Sequence, residues 1–307
     1  MKKNMRIKTV GIVGMGALGL MYGEHIQSKI GKENVSFIMD TARYEKYKNA
    51  TYTVNGIPTE FQIIDAKDSK PMDFIIVATK YNGLADALDM MKPAVGEHTI
   101  IISVLNGISS EEMIAEKYGD KNLVYCVALG MDAMREGTDL VFSGKGKVQI
   151  GVLKEEQKPA LEAVKEFLDS VGLIYEEKED IRHALWGKLI MNVGINQTCT
   201  VYEACYREVL ESEEKFQKLS DAMHEVMAVA EKEGIHFTED EFNEYIRLMG
   251  TLQPDGYPSM RQDAVAKRKS EVDLFAGTII REAAKFGVPV PVNQFYYDKI
   301  MEMEAKY

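Results

Sequence analysis

The feature that most constrains this chain is a glycine-spaced turn, Gly14-Met15-Gly16-Ala17-Leu18-Gly19, set between an apolar run and an amphipathic segment. Residues 9–13 (TVGIV) read as a short buried strand, Ala17–Ile30 as a helix and Val35–Met39 as a second strand. In that setting each glycine of G-x-G-x-x-G has a task. Gly14 permits the tight turn, Gly16 lets a pyrophosphate reach the backbone, and Gly19 lets the helix pack closely on the strand. The amides that open the helix would face the phosphates, and its dipole favours negative charge there. The second strand ends at Asp40, twenty-one residues beyond Gly19. A carboxylate at that point suits the ribose hydroxyls of NAD and repels the extra phosphate of NADP. Arg43, three residues on, would offset it, unless both are plain turn residues.

Further strands are expected at 73–79 (DFIIVAT), 99–105 (TIIISVL) and 123–129, with helices at 84–91 and Ser110–Tyr118 between them. Strands alternating with helices imply an α/β fold, a Rossmann-type doubly wound parallel sheet. Residues 52–64, centred on Asn55-Gly56, look like an inserted hairpin. A second hairpin is expected over 140–152, turning at Ser143-Gly144-Lys145-Gly146. After about Asp180 strand patterns nearly vanish and amphipathic stretches follow at 183–199, 215–233, 239–249 and 261–286. The expected organisation is therefore a dinucleotide-binding domain over 1–180 and an all-α C-terminal domain, for substrate and catalysis, over 181–307.

Bulk properties narrow the function. The 307 residues are 46% hydrophobic and 28% charged, normal for a soluble globular protein. With 37 basic and 48 acidic side chains the net charge is −11, which argues against general nucleic-acid binding. Any phosphate or carboxylate ligand must be held by local cations, amides and helix ends. Cys126, Cys199 and Cys205 are few, odd in number and lack C-x-x-C spacing, so neither a disulfide framework nor structural zinc is expected. Lys2, Lys3, Arg6 and Lys8 before an apolar run imitate a signal peptide, but four glycines interrupt the run and no A-x-A-like site follows. No stretch is long enough to span a membrane, and a cytoplasmic location is expected.

Two groups of residues carry candidate chemistry. Lys80 and Asn106 follow the strands at 73–79 and 99–105, and in open α/β sheets ligands sit beyond the carboxyl ends of strands. Alone, Lys80 would be a surface charge and Asn106-Gly107 a turn. The second group is Trp186-Gly187-Lys188-Leu189-Ile190-Met191-Asn192-Val193-Gly194-Ile195-Asn196. Lys188, Asn192 and Asn196 are four apart and share one helical face, a polar stripe in an otherwise apolar helix. Such a stripe is either a solvent face or the wall of a cleft. Gly194 and two asparagines are poor helix formers and odd choices for a solvent face. Ser259 reads as a helix N-cap, with Gln262 completing a capping box, and Glu271 as an ordinary helical acid.

Taken together the blocks resemble the ketopantoate reductases (2-dehydropantoate 2-reductases) over nearly the whole chain. The resemblance rests on GMGALG at 14–19, Lys80, LNG at 105–107, WGKLIMNVGIN at 186–196, SMRQD at 259–263 with Glu271 twelve residues after Ser259, and GVPVPVN at 287–293. It implies NAD(P)H-dependent reduction of ketopantoate to pantoate, a step toward pantothenate and coenzyme A. Lys188 would be the catalytic lysine, with Glu271 beside it. Asn106, Asn192, Asn196 and Ser259 would hold the substrate or orient that lysine, while Lys80 and Asn106 would lie near the cofactor.

The residue types suit the chemistry. Charge builds on the ketone oxygen as the hydride arrives, and an ammonium at Lys188 can stabilise it and donate a proton; general acids contribute about 10²–10⁴-fold. No metal is required. His183 is read as structural rather than as a second proton donor. One departure concerns the cofactor, because the family commonly places a basic residue where Asp40 stands. NADPH is expected, on the strength of Arg43 and Thr41 in the same turn, with NADH as the alternative. Two other readings compete: a reductase of another 2-oxo acid on the same scaffold, and a non-catalytic nucleotide sensor. The expected partner is a small 2-oxo acid, with no nucleic acid or membrane, for a monomer or homodimer.

Overall fold

The structure, a computed structural model, describes residues 6–307. It forms two compact units, one running to residue 106 and over 110–184, the other comprising 107–109 and 185–307.

In the first unit β1 (Val10–Val13) leads through the glycine turn into α1 (Ala17–Ile30), followed by β2 (Val35–Met39) and α2 (Thr41–Tyr47). After β3 (Tyr52–Val54) and β4 (Ile57–Thr59) come β5 (Gln62–Asp65), β6 (Phe74–Val77), α3 (Leu84–Met90), β7 (Ile100–Ser103) and α4 (Ser110–Tyr118). The main sheet has the order β5-β2-β1-β6-β7, and every pairing in it is parallel. Strand order therefore reverses at β1, which places a topological switch point between the carboxyl ends of β1 and β6. All residues of β1, β6 and β7 are buried. That is why these strands read as continuous apolar runs and not as alternating ones.

The rest of the unit holds β8 (Tyr125–Met131), β9 (Met134–Glu136), β10 (Asp139–Val141), β11 (Lys145–Gly151), α5 (Lys158–Val171) and β12 (Tyr175–Glu177). These strands complete two small sheets, β4-β3-β10-β9 and β12-β11-β8. The hairpin around Asn55-Gly56 forms between β3 and β4, with φ of 50° and 79° at its two turn residues, as a type I′ turn needs. Its expected last strand instead leaves the hairpin and pairs with β2. The hairpin expected over 140–152 does not form: β10 pairs with β9 and β11 with β8. The Asp132 carboxylate explains the divergence. It accepts the amides of Ser143 at 2.9 Å and Gly144 at 3.0 Å, fastening the turn to the end of β8. Helix α5 escaped the sequence reading, although Leu161, Val164, Phe167, Leu168 and Val171 mark its buried face.

The helix α6 (Ile181–Val201) begins in the first unit and continues into the second. The second unit adds α7 (Tyr206–Glu211), α8 (Glu213–Lys232), α9 (Glu239–Gly250), α10 (Ser259–Val265), α11 (Ala276–Phe286) and α12 (Pro291–Glu304). The glycines of α6 are there for packing. A Cβ on Gly187 would stand 2.5 Å from the Tyr245 hydroxyl of α9, and one on Gly194 would stand 2.6 Å from Met223 of α8.

Buried polar groups tie the bundle together. Gln197 accepts the Ala276 amide at 3.1 Å, and Glu225 accepts the amides of Val292 and Asn293 at 2.7 and 2.9 Å, capping α12. The block GVPVPVN thus serves a helix start, with Asn293 fully buried.

The helical stretch expected over 261–286 is broken in two. Lys267 takes a left-handed conformation (φ 50°) after α10. Ser270 is then held by the Glu304 carboxylate through its amide at 2.7 Å and its hydroxyl at 2.6 Å. Among the described residues no helix is long and apolar enough to cross a membrane.

Candidate active site

The glycine turn lies at the switch point, between the ends of β1 and β6. A Cβ on Gly14 (φ 111°) would fall 2.4 Å from the Ala78 carbonyl oxygen, and one on Gly19 would fall 2.0 Å from the Gly14 carbonyl oxygen. Both glycines are demanded by the fold itself. Gly16 is not: its backbone (φ −77°, ψ −171°) is open to any residue, and a Cβ there would meet nothing nearer than 3.9 Å.

What Gly16 leaves is space in front of the first turn of α1. Gly16 is the N-cap of that helix, no side chain caps it, and no acid lies in the first turn. A plain glycine turn gives no reason for this residue; a phosphate group approaching the helix start does. The loop from Gly14 through Met15, Gly16, Ala17 and Leu18 to Gly19 therefore fits a dinucleotide.

Other groups surround it in the same unit. Lys80 is exposed and opens a single 3₁₀ turn just past β6. Before it, the Thr79 hydroxyl is buried without a hydrogen-bond partner among the described residues. Asn106 follows β7 and is half-buried. Asp40 caps α2, accepting the Arg43 amide at 2.9 Å, and the Arg43 guanidinium lies 3.6 Å from its other oxygen. Thr41 hydrogen-bonds the buried Asp65 at the end of β5. Burial pushes the Asp65 carboxyl up, but bonds from Thr41 and Lys67 outweigh burial and hold it below the usual range. Sequence reading missed two of these groups, Asp65 and Thr79, together with Arg135 of β9, which donates to the Met15 carbonyl. No spacing rule marks them; strand register brings them in.

In the second unit Lys188, Asn192 and Asn196 share one face of α6, as expected. Lys188 and Asn192 are half-buried and Asn196 is 5% exposed, so the stripe is not a solvent face. The Asn196 amide donates to the Asn192 oxygen at 3.2 Å, and the Asn196 Oδ1 is buried without a donor among the described residues. An unsatisfied buried acceptor costs roughly 1–3 kcal/mol, which a ligand donor would recover.

Ser259 and Glu271 depart from their expected settings. Pro258 is the N-cap of α10, so Ser259 is its first residue; no capping box forms, and Gln262 reaches instead to the Tyr257 carbonyl at 3.3 Å. The exposed Ser259 side chain is thus not spent on capping. Glu271 is half-buried in the turn between α10 and α11, where its carbonyl accepts the Leu274 amide at 2.9 Å.

A parallel sheet with a glycine loop at its switch point and a helical unit with a Lys-Asn-Asn stripe accord with the class to which the family assigns the chain, an NAD(P)-dependent oxidoreductase acting on CH–OH groups. Residues 10–155 match the family model described as ketopantoate reductase PanE/ApbA, and residues 180–304 match its C-terminal counterpart. The chain belongs to this family. A 2-dehydropantoate 2-reductase of Streptococcus pyogenes serotype M3 is 24% identical over 306 residues, covering 96% of this chain and 98% of that one. Among solved structures, D-mandelate dehydrogenase with NADH and anilino(oxo)acetate is similar at a TM-score of 0.87 and 23% identity, covering 97% of this chain and 99% of that one. A PanE/ApbA family ketopantoate reductase from Ralstonia eutropha JMP134 is similar at 0.83 and 22%, with the same coverage.

Proposed function

We propose that the protein reduces ketopantoate to pantoate, the first domain (1–180) holding the nicotinamide nucleotide and the helical domain (181–307) the substrate. The observation that carries this is the half-buried stripe of α6, with an ammonium at Lys188 and an acceptor lacking a donor at Asn196. Ketopantoate offers a carboxylate, a ketone and a terminal hydroxyl. The hydroxyl supplies a donor to Asn196, while Asn192 and Ser259 provide neutral contacts for the remaining oxygens.

The bound nucleotide supplies the hydride. Lys188 stabilises the negative charge that develops on the ketone oxygen and transfers a proton to it, and Glu271 keeps the lysine charged. The amides from Met15 to Leu18, with Lys80 and Asn106, hold the nucleotide. A cytoplasmic location goes with this reading of the function.

Of the two nicotinamide forms, the end of β2 supports NADH. Arg43, the group there that would welcome a 2′-phosphate, lies 3.6 Å from the Asp40 carboxylate. The Asp40 charge at that end repels a 2′-phosphate.

A second reading, a reductase of another 2-oxo acid, draws support from the likeness to D-mandelate dehydrogenase. A panel of 2-oxo acids assayed by nucleotide oxidation separates the two. The highest kcat/KM is expected for ketopantoate. Turnover of phenylglyoxylate without turnover of ketopantoate would replace the first reading by the second, and turnover of no 2-oxo acid would leave only a nucleotide-binding protein.

A further inference from the structure

Arg135 lies on β9, in the small sheet β4-β3-β10-β9 of the first unit. Its cross-strand partner is Leu140, which is fully buried, so both project from the same inner face of that sheet. Nη1 of the guanidinium donates to the carbonyl of Met15, between Gly14 and Gly16, and Nε donates to the Gly137 carbonyl at 2.7 Å. The group is half-buried, and no carboxylate pairs with it among the described residues. Tyr52, buried and with no partner for its hydroxyl among the described residues, lies within its electrostatic reach.

A guanidinium carries five N–H donors, and these two bonds leave most of them unspent. Partial burial of a cation without a counter-charge is unfavourable unless an anion joins it. The open space at Gly16 adjoins the very residue that Arg135 holds. The chain also carries a net charge of −11, so the long-range field opposes an anionic ligand, and a helix end offers only about half a unit charge.

We infer that Arg135 is a further nucleotide-binding residue, supplying a full unit of positive charge to the pyrophosphate site above the glycine loop. This rests on the loop being the dinucleotide site. It adds a residue from an inserted sheet to a motif otherwise built wholly of backbone. The competing explanation is that Arg135 only fastens the loop through the Met15 carbonyl.

The variants Arg135→Ala, Arg135→Gln and Arg135→Lys separate these roles. Glutamine can still donate to the Met15 carbonyl but carries no charge; lysine keeps the charge. Each is titrated with NADH and NADPH by fluorescence, at low and high salt, with the melting temperature of each apoprotein measured alongside. R135A and R135Q are both expected to raise the Kd of either nucleotide about tenfold or more and to flatten its salt dependence, with R135K close to wild type. Wild-type Kd in R135Q would overturn the proposal and leave a loop-fastening role, and so would wild-type Kd in R135A. A wild-type protein that binds neither nucleotide would overturn the dinucleotide reading itself, and this inference with it.

Discussion

At the scale of single residues, the glycine loop separates folding from function. Gly19→Ala would force a Cβ to 2.0 Å from the Gly14 carbonyl and should cost several kcal/mol, seen as a large drop in melting temperature. Gly16→Ala meets nothing within 3.9 Å, so its melting temperature should stay near wild type while the KM for the nucleotide rises about tenfold or more. Equal loss of stability in both variants would contradict this division.

Lys188→Ala should lower kcat by about 10²–10⁴-fold with nucleotide Kd unchanged. Near-normal kcat would remove Lys188 from the acid role. Glu111 is a residue that the chemistry does not use. It is 1% exposed, accepts the Ser110 hydroxyl at 2.7 Å, and burial pushes its carboxyl up to about 7. An acid whose folded pKa is raised binds more protons folded than unfolded between about 4.5 and 7, so its contribution to stability falls as pH rises through that window. Glu111→Gln should therefore raise the melting temperature at pH about 8 and leave it nearly unchanged at pH about 4. An equal shift at both would show that packing, not ionisation, is responsible.

At the scale of elements, the end of β2 is the determinant of the nucleotide in the proposed reading. Asp40→Ser removes the charge but keeps an N-cap for α2, so stability should change by under about 1 kcal/mol. The ratio of kcat/KM for NADPH over NADH should rise about tenfold or more, because Arg43 is then released toward a 2′-phosphate. No change in the ratio would remove Asp40 from the choice.

This region also shows how far sequence patterns reach. Strands β1, β2, β6 and β7 of the main sheet were legible because burial on both faces leaves unbroken apolar runs such as those of β6 and β7. The less buried β5 reads as part of the hairpin, and the strand at 123–129 goes not to this sheet but antiparallel to β11. The α6 stripe was legible because a four-residue spacing is local. The small sheets were not, since their pairings depend on contacts like Asp132 with Ser143 and Gly144, which no periodicity records. The break between α10 and α11 escaped for the same reason. It is imposed by Glu304 on Ser270, thirty-four residues away, and it turns Glu271 from a helical acid into a residue of a tight turn.

At the scale of the whole molecule, the two units divide the chemistry. In the proposed reading the parallel sheet holds the nucleotide at its switch point, and the helical unit brings Lys188 and an Asn196 oxygen with no donor among the described residues. Neither alone specifies a reaction; a Rossmann sheet without the α6 stripe would serve a sensor equally well. The central claim is that these parts act together on ketopantoate. The most direct measurement is steady-state kinetics of the purified protein with ketopantoate, run in parallel with NADH and NADPH and followed by loss of nicotinamide absorbance. The account predicts saturable, ketopantoate-dependent oxidation with the higher kcat/KM for NADH; absence of ketopantoate-dependent oxidation with both nucleotides would contradict it.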